Sequence, residues 1–314
     1  MATFIIRRIA LTVIVVIIVS FLAFSLIHVM PGDPAATMLG LDARPEQIQA
    51  LRHELWLDRP FLVQYGHWAY NALHGDLGVS LMYKDPIVDI IKIRLPITLY
   101  LAAIAFVIST FLGIFLGIIC AIRRGSVLDQ LVSVVANVGI AIPVFWLGIM
   151  MIYLFGLKLG WLPLQGWTSP LDNYVKSTKQ AIIPVILLAI PGIAVLTRQT
   201  RSSMLEVVRQ DYIRTAYAKG LKERYVIVRH ALKNALIPVV TLLGLQVRVL
   251  VGGSILVETV CNIPGMGRLL TTAAFNKDFL VVQAGVLIVG TIVCLVNLIV
   301  DISYGWLDPR VRFQ

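Results

Sequence analysis

Six stretches of this chain are apolar, nearly free of charge, and long enough to cross a bilayer. They run from Ile9 to Met30, Leu95 to Ile122, Gln130 to Leu157, Gln180 to Thr197, Asn234 to Val257 and Phe279 to Val300. A crossing takes about 20 apolar residues. Inside hydrocarbon every backbone N–H and C=O must be satisfied within the chain, so such stretches fold as helices rather than as an open sheet. The fold class that follows is an all-α integral membrane protein with six transmembrane helices. Pro143, Pro184 and Pro191 predict kinks in or near the third and fourth spans. Only 14% of the 314 residues are charged, against about 25% in a soluble domain.

The net charge of +10 reflects topology rather than nucleic-acid binding. Basic residues gather in the loops that stay in the cytoplasm. With the N-terminus inside, segments 1–8, 123–129, 198–233 and 303–314 hold fifteen of the 27 Lys and Arg residues. The much longer outer segments hold eleven, and 31–94 has six basic against eight acidic residues. Both termini are therefore expected in the cytoplasm. Arg7 and Arg8 before an apolar run resemble a signal sequence. The run is 22 residues long and lacks a small-x-small cleavage pattern, so it reads as a retained span. Cys120 and Cys294 lie in apolar runs and Cys261 stands alone in a loop, a pattern that implies neither a disulfide framework nor a metal site. The five histidines, His28, His53, His67, His74 and His230, are scattered and read as interfacial or surface residues.

The outer segment 31–94 is long enough to need its own structure. Pro45 to Leu55 has helical spacing, with Ile48, Leu51 and Leu55 on one side; Asp58-Arg59-Pro60 ends it. Phe61 to Leu73 predicts a second helix carrying Tyr65, Trp68 and Tyr70, followed by a Gly75-Asp76-Leu77-Gly78 turn. Its aromatic side belongs on the membrane interface or the spans; a substrate platform is the sharper alternative.

Segment 198–233 carries nine Lys and Arg against three Asp and Glu. Met204 to Lys219 predicts one helix and Leu221 to Leu232 another, with Gly220 between them at positive φ. Leu221, Tyr225, Val228 and Leu232 follow a single apolar face. Lys222, Arg229 and Lys233 lie elsewhere on the surface. Two readings stay open: a helix resting on lipid phosphates, or a rigid element inserted into a soluble subunit.

Asp211-Tyr212-Ile213-Arg214-Thr215-Ala216-Tyr217-Ala218-Lys219-Gly220-Leu221 resembles the cytoplasmic EAA loop of binding-protein-dependent ABC importer permeases. Arg214-Thr215-Ala216 stands at the family's Glu-Ala-Ala, Lys233 replaces a usual proline, and Pro238 follows five residues later. These departures resemble the B-type permeases of the peptide-importer branch. Arg7-Arg8 with Pro31-Gly32-Asp33-Pro34, Leu57-Asp58-Arg59-Pro60, Gln64-Tyr65 and Gly75 to Ser80 are similar to that branch in the N-terminal part. Arg201 to Leu205, Gly252-Gly253-Ser254, Pro264-Gly265-Met266-Gly267-Arg268 and Leu307-Asp308-Pro309-Arg310 extend the likeness to the end. Trp56 stands where a glycine is usual.

The resemblance implies a type I ABC importer permease (MetI-like) core, residues 96–314, preceded by a first helix and extracytoplasmic segment, 1–95. It implies a multi-pass protein of a bacterial or archaeal inner membrane. The implied partners are a second homologous permease, two cytoplasmic ATPase subunits and an extracytoplasmic binding protein. ATP and Mg²⁺ would be bound by those ATPases, with no cofactor or metal in this chain. Tyr212, Arg214, Thr215, Ala216, Lys219, Gly220 and Leu221 are the expected ATPase-docking residues.

No G-x-x-x-x-G-K-[ST], H-E-x-x-H or G-x-S-x-G pattern occurs, so no catalytic residue is expected and the energy must come from elsewhere. An ion-coupled secondary transporter is the competing function. It would place carboxylates or histidines mid-membrane, whereas Glu258 and Asp301 lie at span ends. Arg248, halfway along the fifth span, is the exception to an apolar interior. Its expected partner is a carboxylate of the second permease, backbone carbonyls, the outer interface, or an anionic substrate group in the translocation pathway. Gly244 and Gly252, one turn to either side, would leave room for a close approach.

Overall fold

The computed structural model describes residues 2–29, 33–40 and 43–307. The Pro31-Gly32 and Asp308-Pro309-Arg310 motif positions lie outside the described residues. Helices occur in the order α1 Ala2–Val29, α2 Pro34–Leu39, α3 Pro45–Glu54, α4 Phe61–Leu73, α5 Ile87–Ile122, α6 Val127–Ala141 and α7 Val144–Met151, the last continuing as a π-helical stretch, Ile152–Lys158. They continue with α8 Tyr174–Val207, α9 Asp211–Ala218, α10 Glu223–Tyr225, a π-helical stretch Val226–Ala231, α11 Leu232–Ala235, α12 Ile237–Val260, α13 Met266–Phe275 and α14 Phe279–Leu307. Among the described residues five helices are long and apolar enough to cross a membrane, and α6 with α7 makes a sixth if the bent pair is one span.

That pair departs from the kinked single span expected over Gln130 to Leu157. The axis turns by 103° at Ile142-Pro143. Proline has no N–H to give the preceding turn and pushes its predecessor out of the helical region; Ile142 accordingly has ψ 128° and Pro143 ψ 124°. Pro184 and Pro191 do not have this effect, and α8 runs through both for 34 residues.

The chain forms two compact units, Met1–Thr98 with Pro264–Gln314, and Leu99–Ile263. The last helix thus groups with the first in one compact unit. In the first unit α1 packs along α14, and Val19 fills the space that Gly290 leaves open. Arg8 near the start of α1 pairs with Asp301 near the end of α14 at 2.8 Å. The two helices therefore run antiparallel, with the start of α1 beside the end of α14.

Segment 43–94 folds as the spacing predicts. α4 lays its aromatic side on the first span: Tyr65 and Trp68 lie with their ring centroids 5.7 and 5.6 Å from that of Phe24. The Tyr65 hydroxyl is 2.8 Å from Ser20 Oγ, and the Gln64 amide oxygen is 2.8 Å from His28 Nε2. Trp56 adopts a left-handed conformation of the kind that favours glycine, φ 58°, and its ring stacks on His67 with centroids 3.9 Å apart. The loop after Gly78 is pinned by Asp278, which is buried and accepts from Ser80 Oγ at 2.5 Å and from the Met82 N–H at 3.1 Å. Ile87, Ile90 and Ile91 at the start of α5 pack there with Leu269 and Ala273 of α13 and Val281 of α14.

In the second unit α8 is the central element, packed by α6 and α12. α5 reaches it through a glycine. A Cβ on Gly117 would come within 2.7 Å of the Thr197 carbonyl oxygen, so any larger residue would push the helices apart. A polar contact also lies within this packing: buried Gln246 of α12 donates to Ser109 Oγ of α5, beside Gly192 of α8.

Candidate functional site

The loop after α8 forms a small folded hairpin with its own core. The single helix expected over Met204 to Lys219 is interrupted. α8 ends at Val207, a turn at 208–210 follows, and α9 begins at Asp211, whose charge suits the positive end of the helix. The break allows the chain to fold back, so that Ile213 and Ala216 pack on Met204. Val226, Ile227, Ala231 and Ala235 complete the cluster.

The second arm also differs from its expected pattern. Tyr225 and Val228 are exposed, and the buried face is Val226, Ile227 and Ala231. The cause is the π-helical stretch Val226–Ala231. Its wider turn shifts the side-chain register from the 3.6-residue spacing on which the apolar-face pattern rests. Tyr225 instead lies under the Arg229 guanidinium, 5.6 Å from ring centroid to carbon.

Gly220 lies between the arms with φ 74°, and its N–H donates to the Tyr217 carbonyl at 2.9 Å. An L-residue other than glycine pays for that conformation with a Cβ clash. The hairpin is closed by Asn234 Nδ2, which donates to the Tyr212 hydroxyl at 2.8 Å. Asp211 and Arg214, 3.5 Å apart and both exposed, contribute little.

The expected docking residues thus fall into two groups. Tyr212, Arg214, Thr215, Lys219 and Gly220 are exposed on the outside of the hairpin. Ala216 is buried in its core and Leu221 is half-buried against it. Ala216 therefore shapes the hairpin from within, because one turn of α9 turns its position toward Met204.

The base of the hairpin contains a contact that sequence reasoning missed. Arg201, one turn before Met204, forms a two-pronged ion pair with Asp129 at the start of α6. A carboxylate at the very edge of an apolar run was the available signal. Farther along, Arg248 is exposed on α12, and so is Gly252, whereas Gly244 is buried. The structure does not gather these three on one open surface. Among the described residues no cluster of His, Cys, Asp or Glu is arranged to hold a metal ion.

Comparison with known proteins agrees with this architecture. Residues 113–313 match the family model for binding-protein-dependent transport system inner membrane components, and residues 1–102 match the model for the N-terminal part of such components. A putative peptide transport system permease protein of Brucella abortus is 42% identical over 314 residues, covering all of both chains. The dipeptide transport system permease proteins DppB of Alkalihalophilus pseudofirmus and Escherichia coli K12 are each 40% identical, again over the whole of both chains. Among solved structures, the inward-facing MetNI methionine ABC transporter aligns with TM-score 0.51 at 20% identity, over 68% of this chain and 95% of that one, a likeness of fold. No such likeness supports an ion-coupled carrier. Its membrane helices, hairpin loop and matched sequence make this chain a member of the family of inner membrane components of binding-protein-dependent transport systems.

Proposed function

We propose that this chain is the permease subunit of an ATP-driven importer of peptides, and that the outer face of its α9–Gly220 hairpin docks into a cytoplasmic ATPase subunit. The observation that carries the docking reading is the hairpin's own buried core. A helix that only rested on lipid would turn its apolar residues outward. Here Met204, Ile213, Ala216 and Val226 are consumed internally, and the outward face of α9 is the largely polar set Tyr212, Arg214, Thr215, Tyr217 and Lys219. A prefolded element of that kind can transmit a push to α8 without first having to order itself. Full-length likeness to permeases named for peptide or dipeptide transport supports the substrate class.

The partners follow the same reading: a second homologous permease, two ATPase subunits supplying ATP and Mg²⁺ chemistry, and a binding protein outside. The orientation puts both termini and 198–233 in the cytoplasm, with 32–94 outside. Single cysteines in a chain without Cys120, Cys261 and Cys294 test both points. Thr215→Cys is expected to cross-link to a coexpressed ATPase subunit and to react with a thiol reagent only from the cytoplasmic side, Tyr70→Cys only from outside. Reversed labelling overturns the orientation. Absence of cross-linking together with normal transport by Thr215→Trp overturns the docking.

A further inference from the structure

The exposed faces of the spans differ in one respect. Between Ile9 and Leu26 every exposed residue of α1 is apolar, and the same holds for α5 from Leu99 to Ile122. The exposed side of α12 carries Thr241, Arg248 and Thr259. These recur at intervals of seven and eleven residues, so at 3.6 residues per turn they lie within about 20° of one line along the helix. Thr241 and Thr259 are about 27 Å apart by helical rise, close to the roughly 30 Å of a hydrocarbon core. Ile237, Leu245, Val249 and Leu256 are exposed beside them, so the face is mixed rather than apolar throughout, and a charge at its centre does not suit lipid.

Arg248 sits near the middle of it, about 16 Å from Ile237 and about 18 Å from Val260 by helical rise. Snorkelling to an interface serves residues near helix ends. Among the described residues Arg8 pairs with Asp301, Arg52 with Asp33, Arg59 with Asp58, Arg201 with Asp129 and Arg214 with Asp211, whereas Arg248 has no such contact. Gly252, one turn farther along on the same side, is exposed with open space where a Cβ would stand. An isolated guanidinium with room beside it needs an anion that arrives from outside the chain.

The geometry points to Arg248 as a specificity residue of the translocation pathway. It lies on a wetted polar line of α12 and receives a carboxylate of the passing peptide through the two-pronged contact that a guanidinium makes. This rests on the peptide-importer reading. Every unmodified peptide carries a C-terminal carboxylate, so one cation on the line would serve many side chains.

The test uses the assembled importer in proteoliposomes, with Cys120, Cys261 and Cys294 replaced, Arg248→Cys introduced, and dialanine as the transported probe. Uptake is expected to fall about tenfold or more, the scale of a lost hydrogen bond to a charged group. A water-soluble methanethiosulfonate bearing an ammonium should react at position 248 during ATP turnover and restore uptake; the sulfonate analogue should react and restore none. A thiol that stays unlabelled during turnover overturns the proposal. So does loss of the second permease from an Arg248→Gln complex, which marks a buried ion pair between subunits. Wild-type uptake by Arg248→Gln, or equal rescue by both reagents, removes the carboxylate contact. The peptide reading fails separately, through a wild-type importer that takes up no dialanine. Labelling at position 248 still decides in that case whether the line is wet.

Discussion

Arg201 holds Asp129 through two parallel hydrogen bonds, Nε to Oδ1 at 2.6 Å and Nη2 to Oδ2 at 2.8 Å. Asp129 also accepts from the Gly125 N–H at 3.0 Å, and its own N–H is capped by Ser126 Oγ. One carboxylate thus fastens the turn before α6 to the end of α8, immediately above the hairpin. A buried pair of this kind is weak evidence of net stability. It is strong evidence of fixed geometry, because only one relative placement of the two helices satisfies both forks.

Breaking the pair from one side should be costly. Asp129→Ala leaves the guanidinium without its partner, and Arg201→Ala leaves a carboxylate only 5% exposed. The loss for the latter should be about 3 kcal/mol, measured as a lowered thermal midpoint of the purified protein in detergent. Arg201→Lys keeps the charge and loses the fork, so it should fall between wild type and Arg201→Ala. A midpoint for Arg201→Ala equal to wild type would show that the pair positions nothing.

Ala216 and Thr215 are adjacent but face opposite ways, and their variants should separate folding from docking. Ala216→Trp overfills the cluster with Met204, Ile213 and Val226 and should cost about 3 kcal/mol or more locally. Limited proteolysis should then cut the chain between 208 and 235. Thr215→Trp should leave the hairpin protease-resistant and reduce ATP-dependent transport. Equal resistance of both variants would show that Ala216 does not face the core.

Gly220 tests the turn alone. No neighbour lies within 4 Å of a Cβ placed there, so the cost of Gly220→Val is backbone strain at φ 74°, about 1–2 kcal/mol. Gly220→Asn should cost less, since asparagine tolerates the left-handed region. The ranking Gly, Asn, Val in hairpin stability, read by hydrogen exchange over 211–235, is the expected result.

Cys261 should be inert although it lies outside a span. It is buried, and burial pushes its thiol up to about 12. Alkylation requires thiolate, so native protein at pH 7 should incorporate no iodoacetamide at Cys261 by mass spectrometry, and incorporation should follow unfolding. Between the ordinary value of 9.0 and the raised one, the folded chain holds a proton that the unfolded chain releases. Stability from this group is therefore intact below about pH 9 and declines as pH rises through that interval. Rapid labelling of the native protein at neutral pH would contradict the burial.

Much of the molecule was determined by the sequence alone, because bilayer crossing is a local demand. Twenty apolar residues must form a helix wherever they lie. Six apolar runs, the two short helices at Pro45 and Phe61, the Gly75–Gly78 turn and the positive φ of Gly220 could all be read from spacing and composition. The tertiary structure decided what local pattern does not contain. Pro143 turns the third span by 103° whereas Pro184 and Pro191 leave α8 unbroken, although the residue type is the same. Met204 to Lys219 has helical spacing throughout but breaks at 208–210, because the break lets Ile213 and Ala216 reach a common core with Val226. A π-helical stretch replaces the apolar face through Tyr225 and Val228 with another. Arg201 finds Asp129 across 72 residues. Periodicity reports which residues avoid water, whereas their partners are set by the packing of separate helices, whose contacts lie far apart in the chain.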